Sequence, residues 1–302
     1  MTPRSPRSVA NSISLVLNAA YGNDRFDHGP VDVGQLALDY TKQISPDSHI
    51  EQVVAEDLPG CDGALVPGDA LPRRWAIMYD RRQNAGRRAY TIAHELGHFL
   101  LHRRLVDEDP DFDGGFHCSK EAVEHGAGAD IEKEANEFAA NLLMPLDDYR
   151  RQIPSDRPAT FERLGGVAIR YGVSLTAATL RWLEYTTTRA MVIASVDGFA
   201  LWAKSSEAAL RSGRFLQTRT GLFEMPAASL AVRNAFGTEA LQGVAQPAGV
   251  WFPEPVLEMC VRSGRHDFEL TLLCFEARAP ALQEEEVLED TYIRFFRHAS
   301  RS

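Results

Sequence analysis

Apolar residues recur at three- and four-residue spacing from Ser8 to about Tyr21, which predicts an amphipathic first helix. Gly29-Pro30-Val31-Asp32-Val33 turns the chain into a second helix, from Val33 to about Tyr40. Residues 55–67 read as loop, because Pro59-Gly60 and Asp62-Gly63 are turn pairs. The run Arg74-Trp75-Ala76-Ile77-Met78-Tyr79-Asp80 is β-leaning and predicts a strand, joined by the polar stretch 81–88 to an apolar, helix-compatible run from Tyr90 to Leu101.

Residues 107–120 are acidic and glycine-rich, the composition of a mobile surface loop. Ala135, Phe138, Ala139, Leu142 and Leu143 then mark an amphipathic helix that Asp130 can cap and Pro145 ends. Residues 151–158 read as a linker. From Phe161 to Leu183 two helical patterns flank Gly172-Val173-Ser174, the outline of a helix-turn-helix. Strand patterns follow at 190–195, 199–203, 256–261 and 268–275, with Asp197-Gly198 and Ser263-Gly264-Arg265 as hairpin turns. Between them, 210–255 is looser and holds at least one helix; after a charged break at 284–286, 290–297 predicts a last one.

Composition narrows the class. A chain of 302 residues, 44% hydrophobic and 25% charged, is a soluble globular protein of two or three domains. Its net charge of -10 argues against broad adhesion to nucleic acid. Four cysteines without a Cys-x-x-Cys pair fit reduced thiols, hence a cytoplasmic location, better than a disulfide framework. The basic start and the apolar stretch 13–20 imitate a signal peptide weakly, but Ser14 and Asn18 break the stretch. No run is long enough to span a membrane.

The chemistry concentrates in His94-Glu95-Leu96-Gly97-His98. On a helix, residues four apart stack on one face, so His94 and His98 can grip one ion. Glu95 is placed beside them to reach a water as a base without filling a coordination position. With nine histidines in the chain, the pattern arises by chance with a probability of roughly 0.02. His102 extends the row by a further turn, too far to share the ion, and reads as a core residue. The metzincin continuation is missing, since Leu101 and Arg104 stand where its Gly and His would be.

A catalytic zinc needs a third protein ligand and an open position. The helix near 130–143 offers Glu132, which shares a face with small Ala135 and Ala139; Glu134 and Glu137 compete but point elsewhere around the helix. Asn136, four residues past Glu132, can orient a ligating histidine or the carboxylate. In zinc peptidases an edge strand beside the active-site helix commonly binds substrate by strand addition, and 74–80 is the nearby candidate, or simply a sheet strand. His117, Cys118 and His125 could cap the metal at rest, against the plainer reading of a solvated lid.

From about Asp32 to Pro145 the chain resembles the ImmA/IrrE family of bacterial zinc metallopeptidases. The resemblance rests on the strand ending at Tyr79-Asp80, on Arg88, on Tyr90-Thr91-Ile92-Ala93-His94-Glu95-Leu96-Gly97-His98, and on Glu132-x-x-x-Asn136-x-Phe138-Ala139-Ala140-x-Leu142-Leu143-Met144-Pro145. It implies a gluzincin-type site with His94, His98 and Glu132 on Zn2+ and Glu95 as catalytic carboxylate. It also implies cleavage of a helix-turn-helix repressor encoded nearby, which would switch on stress, DNA-damage or mobile-element genes.

The expected fold is α+β. A gluzincin-like zinc peptidase core (1–150) is followed by a helix-turn-helix-like helical module (151–188) and, as the resemblance implies, a C-terminal α+β GAF-like domain (189–302). The module could touch DNA through Arg163, Arg170 and Arg181, dock the repressor, or merely pack. Cys260 and Cys274, in adjacent strands, read as core residues rather than as a redox sensor. DNA or a small molecule could supply the activating signal. The rival to the protease is a non-proteolytic, zinc-containing DNA-binding or ligand-sensing regulator, against which an intact Glu95 argues, because a structural site has no use for it.

Overall fold

Ser5 accepts a hydrogen bond from the backbone N–H of Ser8, and Pro6 needs no partner in the first turn, so α1 runs Pro6–Tyr21. Asp32 caps α2 (Val33–Ile44) through Gln35 N at 3.0 Å. At its far end the buried Thr41 hydroxyl donates to Ala37 O and accepts from Ile50 N at 3.0 Å, which hooks the next strand to the helix. The computed structural model describes residues 5–112, 114–119, 127–218, 221–264 and 268–276. The helix expected at 290–297, the residue Arg265, His125, and the side chains of His117 and Cys118 lie outside what is described.

Four strands form the first sheet: β1 (Ile50–Glu56), β2 (Cys61–Pro67), β3 (Trp75–Asp80) and β4 (Phe116–Ser119), in the order β1-β3-β2-β4. β1 runs parallel to β3, and the other pairs are antiparallel. Two expectations fail here. The stretch 55–67 is not loop, since it holds the end of β1 and the whole of β2, with Asp62-Gly63 inside a strand. Nor is 74–80 an edge, because β3 is hydrogen-bonded on both sides and has no free main chain for a substrate.

Asn84 caps α3 (Ala85–Leu101), which lies against β2 and β3. A short α4 (Leu105–Glu108) leads to β4, so part of the acidic loop is ordered. Then comes α5 (Ala127–Leu143), starting one turn earlier than Asp130, and after Pro145 the short α6 (Leu146–Gln152). α5 packs on both α1 and α3. The approach to α3 is close at Gly97, where a Cβ would lie 3.0 Å from Phe138 and 3.3 Å from the Ala135 backbone. Small residues on both helices thus bring their backbones together.

α7 (Phe161–Tyr171) and α8 (Leu175–Leu183) make the expected helix pair, with Gly172 left-handed at the turn and Ser174 capping α8. Two of the arginines proposed for DNA are taken up inside the molecule. Arg181 is buried and donates to Met144 O, Asn141 and Glu184; Arg170 binds Asp148 and Asp27. Arg163 is exposed and donates to Gln152 O. For Arg170 and Arg181 the packing role is the observed one.

The second sheet is antiparallel throughout, ordered β7-β6-β5-β10-β9-β8. Its strands are β5 (Ala190–Val196), β6 (Phe199–Ser205), β7 (Phe223–Glu224), β8 (Val244–Gln246), β9 (Val256–Arg262) and β10 (Glu269–Phe275). Asp197 and Gly198, both at positive φ, form the predicted β5–β6 turn. Short helices α9 (Glu207–Arg211) and α10 (Thr238–Gln242) sit within the connections. One face of the sheet joins the core of the first half through Val192, Leu272 and Cys274; the other packs Ile193, Cys260 and Leu273 under Met225, Leu230 and Trp251. Cys260 and Cys274 therefore face opposite sides. Burial pushes both thiols up to about 12, so they are inert core residues. The architecture is mixed α+β. Among the described residues, no helix is long and apolar enough to cross a membrane.

Candidate metal centre

The buried stripe of α3 runs from Thr91 to Phe99 and contains His94, Glu95 and His98. Their one-turn spacing puts the two Nε2 atoms 3.0 Å apart. α5, drawn in at Gly97, delivers Glu132 to the same point: one carboxylate oxygen is 3.2 Å from His94 Nε2 and the other 3.2 Å from His98 Nε2. All three side chains are at most 8% exposed. Among the described residues these three are the group of His, Cys, Asp or Glu side chains close enough to hold one metal ion.

Donors about 2.0–2.1 Å from a tetrahedral ion lie roughly 3.3 Å from each other, close to the spacing found. The donor chemistry fits as well. His94 Nδ1 donates to Asn136 Oδ1 at 3.0 Å, which leaves the Nε2 lone pair for the cation; Tyr90 OH donates to the same oxygen. Two imidazole lone pairs and a carboxylate converging on one point repel unless a positive charge sits among them. Burial pushes the His98 imidazole down to about 4, so it stays neutral and ligand-competent. Burial raises the Glu132 carboxyl, but the facing His94 and His98 rings lower it by more and hold the group well below the usual carboxylate range.

Glu95 is fully buried beside these three residues. Gly63 of β2 passes directly over it: a Cβ there would overlap Thr91 Cγ2 and come within 3.1 Å of Glu95 Oε1. Sequence reading missed this glycine by placing it in a turn with Asp62, although a glycine inside a strand is itself a sign of close backbone approach. The competing acids are engaged elsewhere, Glu137 with Arg7 at 3.7 Å and Glu134 with His102. His102 is buried, as expected of a core residue, and in addition its Nδ1 lies 3.2 Å from His98 Nδ1 and its Nε2 lies 2.9 Å from Glu134 Oε2. The four-residue spacing that revealed His94 and His98 also links His98 to His102. Phe116 of β4 stacks on the His98 ring, with centroids 4.7 Å apart.

Residues 46–183 match the Peptidase_M78 family model, described as the IrrE N-terminal-like domain. Over that segment the chain carries an IrrE N-terminal-like domain, the domain that the resemblance to the ImmA/IrrE family led us to expect. The matched segment contains the whole candidate site, so the His/His/Glu group lies within a domain of the Peptidase_M78 kind. Among solved structures, a Mycobacterium tuberculosis transcriptional regulator is similar in fold, with a TM-score of 0.51 at 17% identity, over 88% of this chain and 75% of that one. No curated protein matches the sequence significantly.

Proposed function

We propose that the protein is a zinc-dependent endopeptidase that cleaves a helix-turn-helix transcriptional repressor encoded nearby, releasing stress, DNA-damage or mobile-element genes. The observation that carries this reading is the convergence of His94, His98 and Glu132 on one point, with Glu95 alongside. Zinc at that point would supply a lowered pKa for water and polarise the scissile carbonyl. Glu95, in its dry setting under Gly63, takes the attacking water's proton and hands it to the departing amine. Asn136 holds the His94 ring in the tautomer that ligation requires. β4, which pairs with β2 on one side and touches His98 through Phe116, is the strand best placed to accept substrate main chain on its other edge.

In this reading, residues 1–150 form a gluzincin-like core, 151–188 a helical module that props it, and 189–302 a GAF-like sensor in the cytoplasm. The antiparallel second sheet, covered on one face by the connections of 206–252, supports the sensor assignment. A small molecule or DNA supplies the activating signal. The experiment is to mix the protein with the nearest encoded helix-turn-helix protein, with and without chelator, and look for fragments. Wild type cuts and chelator stops it. Glu95→Gln keeps its zinc and loses cleavage by at least about 100-fold. Full proteolysis by zinc-loaded Glu95→Gln removes Glu95 as the base; a stable complex with no fragments under any trigger favours a regulator that binds without cutting.

A further inference from the structure

We propose that His102 and Glu134 are positioning residues that fix the tautomer and ring orientation of His98, so that its Nε2 faces the metal. The inference rests on the metal-site reading above and extends it to two residues outside the ligand set. Each hydrogen in the chain of contacts has only one consistent place. Glu134 is half-exposed, and as a carboxylate it can only accept, so the hydrogen shared with it at 2.9 Å sits on His102 Nε2. A neutral imidazole carrying its hydrogen there offers a lone pair at Nδ1. That lone pair meets His98 Nδ1 at 3.2 Å, so the His98 hydrogen is on Nδ1. His98 Nε2 is then left with its lone pair, pointed at the spot where His94 Nε2 and the Glu132 carboxylate converge.

Geometry favours the same role. His102 is the C-cap of α3, and its backbone N–H bonds His98 O at 2.8 Å, which sets its side chain one turn above the ligand. Its ring is 6% exposed, and the contact with His98 is buried. Glu134 comes from α5, the helix that also carries Glu132 and Asn136. One helix thus provides a ligand together with the terminal acceptor behind each imidazole: Asn136 for His94 directly, Glu134 for His98 through His102. The two rings are held differently, one by a neutral amide and the other by a relay that ends in a charge.

The test is zinc affinity, measured by competition with a chromophoric chelator, alongside the melting temperature of each metal-free protein. Loss of an acceptor behind a ligating histidine weakens metal binding roughly 10- to 100-fold. His102→Ala should show that loss. His102→Asn, which puts an oxygen acceptor on Cγ where Nδ1 stood, should recover affinity to within a few-fold of wild type. Glu134→Ala should lose less than His102→Ala. Unchanged affinity in His102→Ala overturns the proposal, and so does equal loss in the Ala and Asn variants, which would assign the effect to ring volume. If His102→Ala does not fold, Glu134→Ala at its half-exposed position decides, and unchanged affinity there overturns the relay. Wild type that fails to bind zinc refutes the metal site itself, an outcome separate from failure of the relay.

Discussion

At the scale of single residues, the site depends on where side chains are missing as much as on where they are present. Gly63 lets β2 cross directly above the Glu95 carboxylate, and no larger residue fits without moving Thr91 or Glu95. Gly63→Ala is therefore expected to cost about 1–3 kcal/mol of stability by overpacking. Cleavage should fall further than that loss of folded protein explains, because the displaced group is the proposed base. Urea unfolding and turnover of the same preparation check this, and equal activity per folded molecule would refute it. His94, Glu95 and His98 were legible in sequence because a helix imposes its own spacing on neighbours four apart. Gly63 was not, since its neighbours across the gap are Thr91 and Glu95, 28 and 32 residues away in sequence.

Among the elements, the decisive relation is between α3 and α5, whose contact at Gly97 brings Glu132 within reach of both imidazoles. The small-residue face of α5 signalled that approach and so singled out Glu132 from Glu134. A second junction ties α6 to α7. Buried Asp148 accepts from Arg151 at 2.9 Å, Arg170 at 3.1 Å and Tyr171 OH at 2.6 Å. Burial alone would raise its carboxyl, but these hydrogen bonds outweigh burial and lower it below the ordinary value. A depressed folded-state pKa gives a contribution that is complete above the ordinary value, about 3.9, and is lost as pH falls through the folded one. Asp148→Asn should cost about 3 kcal/mol at pH 7, with the gap to wild type closing below roughly pH 4. Denaturant titrations at pH 7 and pH 3 test this; a gap independent of pH would show that the charge is not what matters. The same junction answers the DNA question for Arg170, whose guanidinium is held between Asp148 and Asp27 rather than offered outward.

Across the whole molecule, one hydrophobic cluster runs from Ala10 in α1 through the peptidase helices to Cys274 in β10. The second sheet shares that core, so the chain is expected to unfold in one calorimetric transition. Zinc at about 100 times its Kd should raise stability by about 2.7 kcal/mol, and chelator should reverse the gain. Two separated transitions, with zinc moving only one, would show independent units. What the sequence by itself determined is what short-range repetition encodes: the histidine pair on α3, the acidic face of α5, the helix pair around Gly172 and the four longer strands of the second sheet, but not the short β7 and β8. Tertiary structure alone decided that β3 lies inside its sheet, that β2 runs through Gly63, that Arg181 is buried, and that His102 and Glu134 stand behind His98. Those facts depend on contacts between segments distant along the chain, and a residue's local pattern carries no record of which distant partner will pack against it.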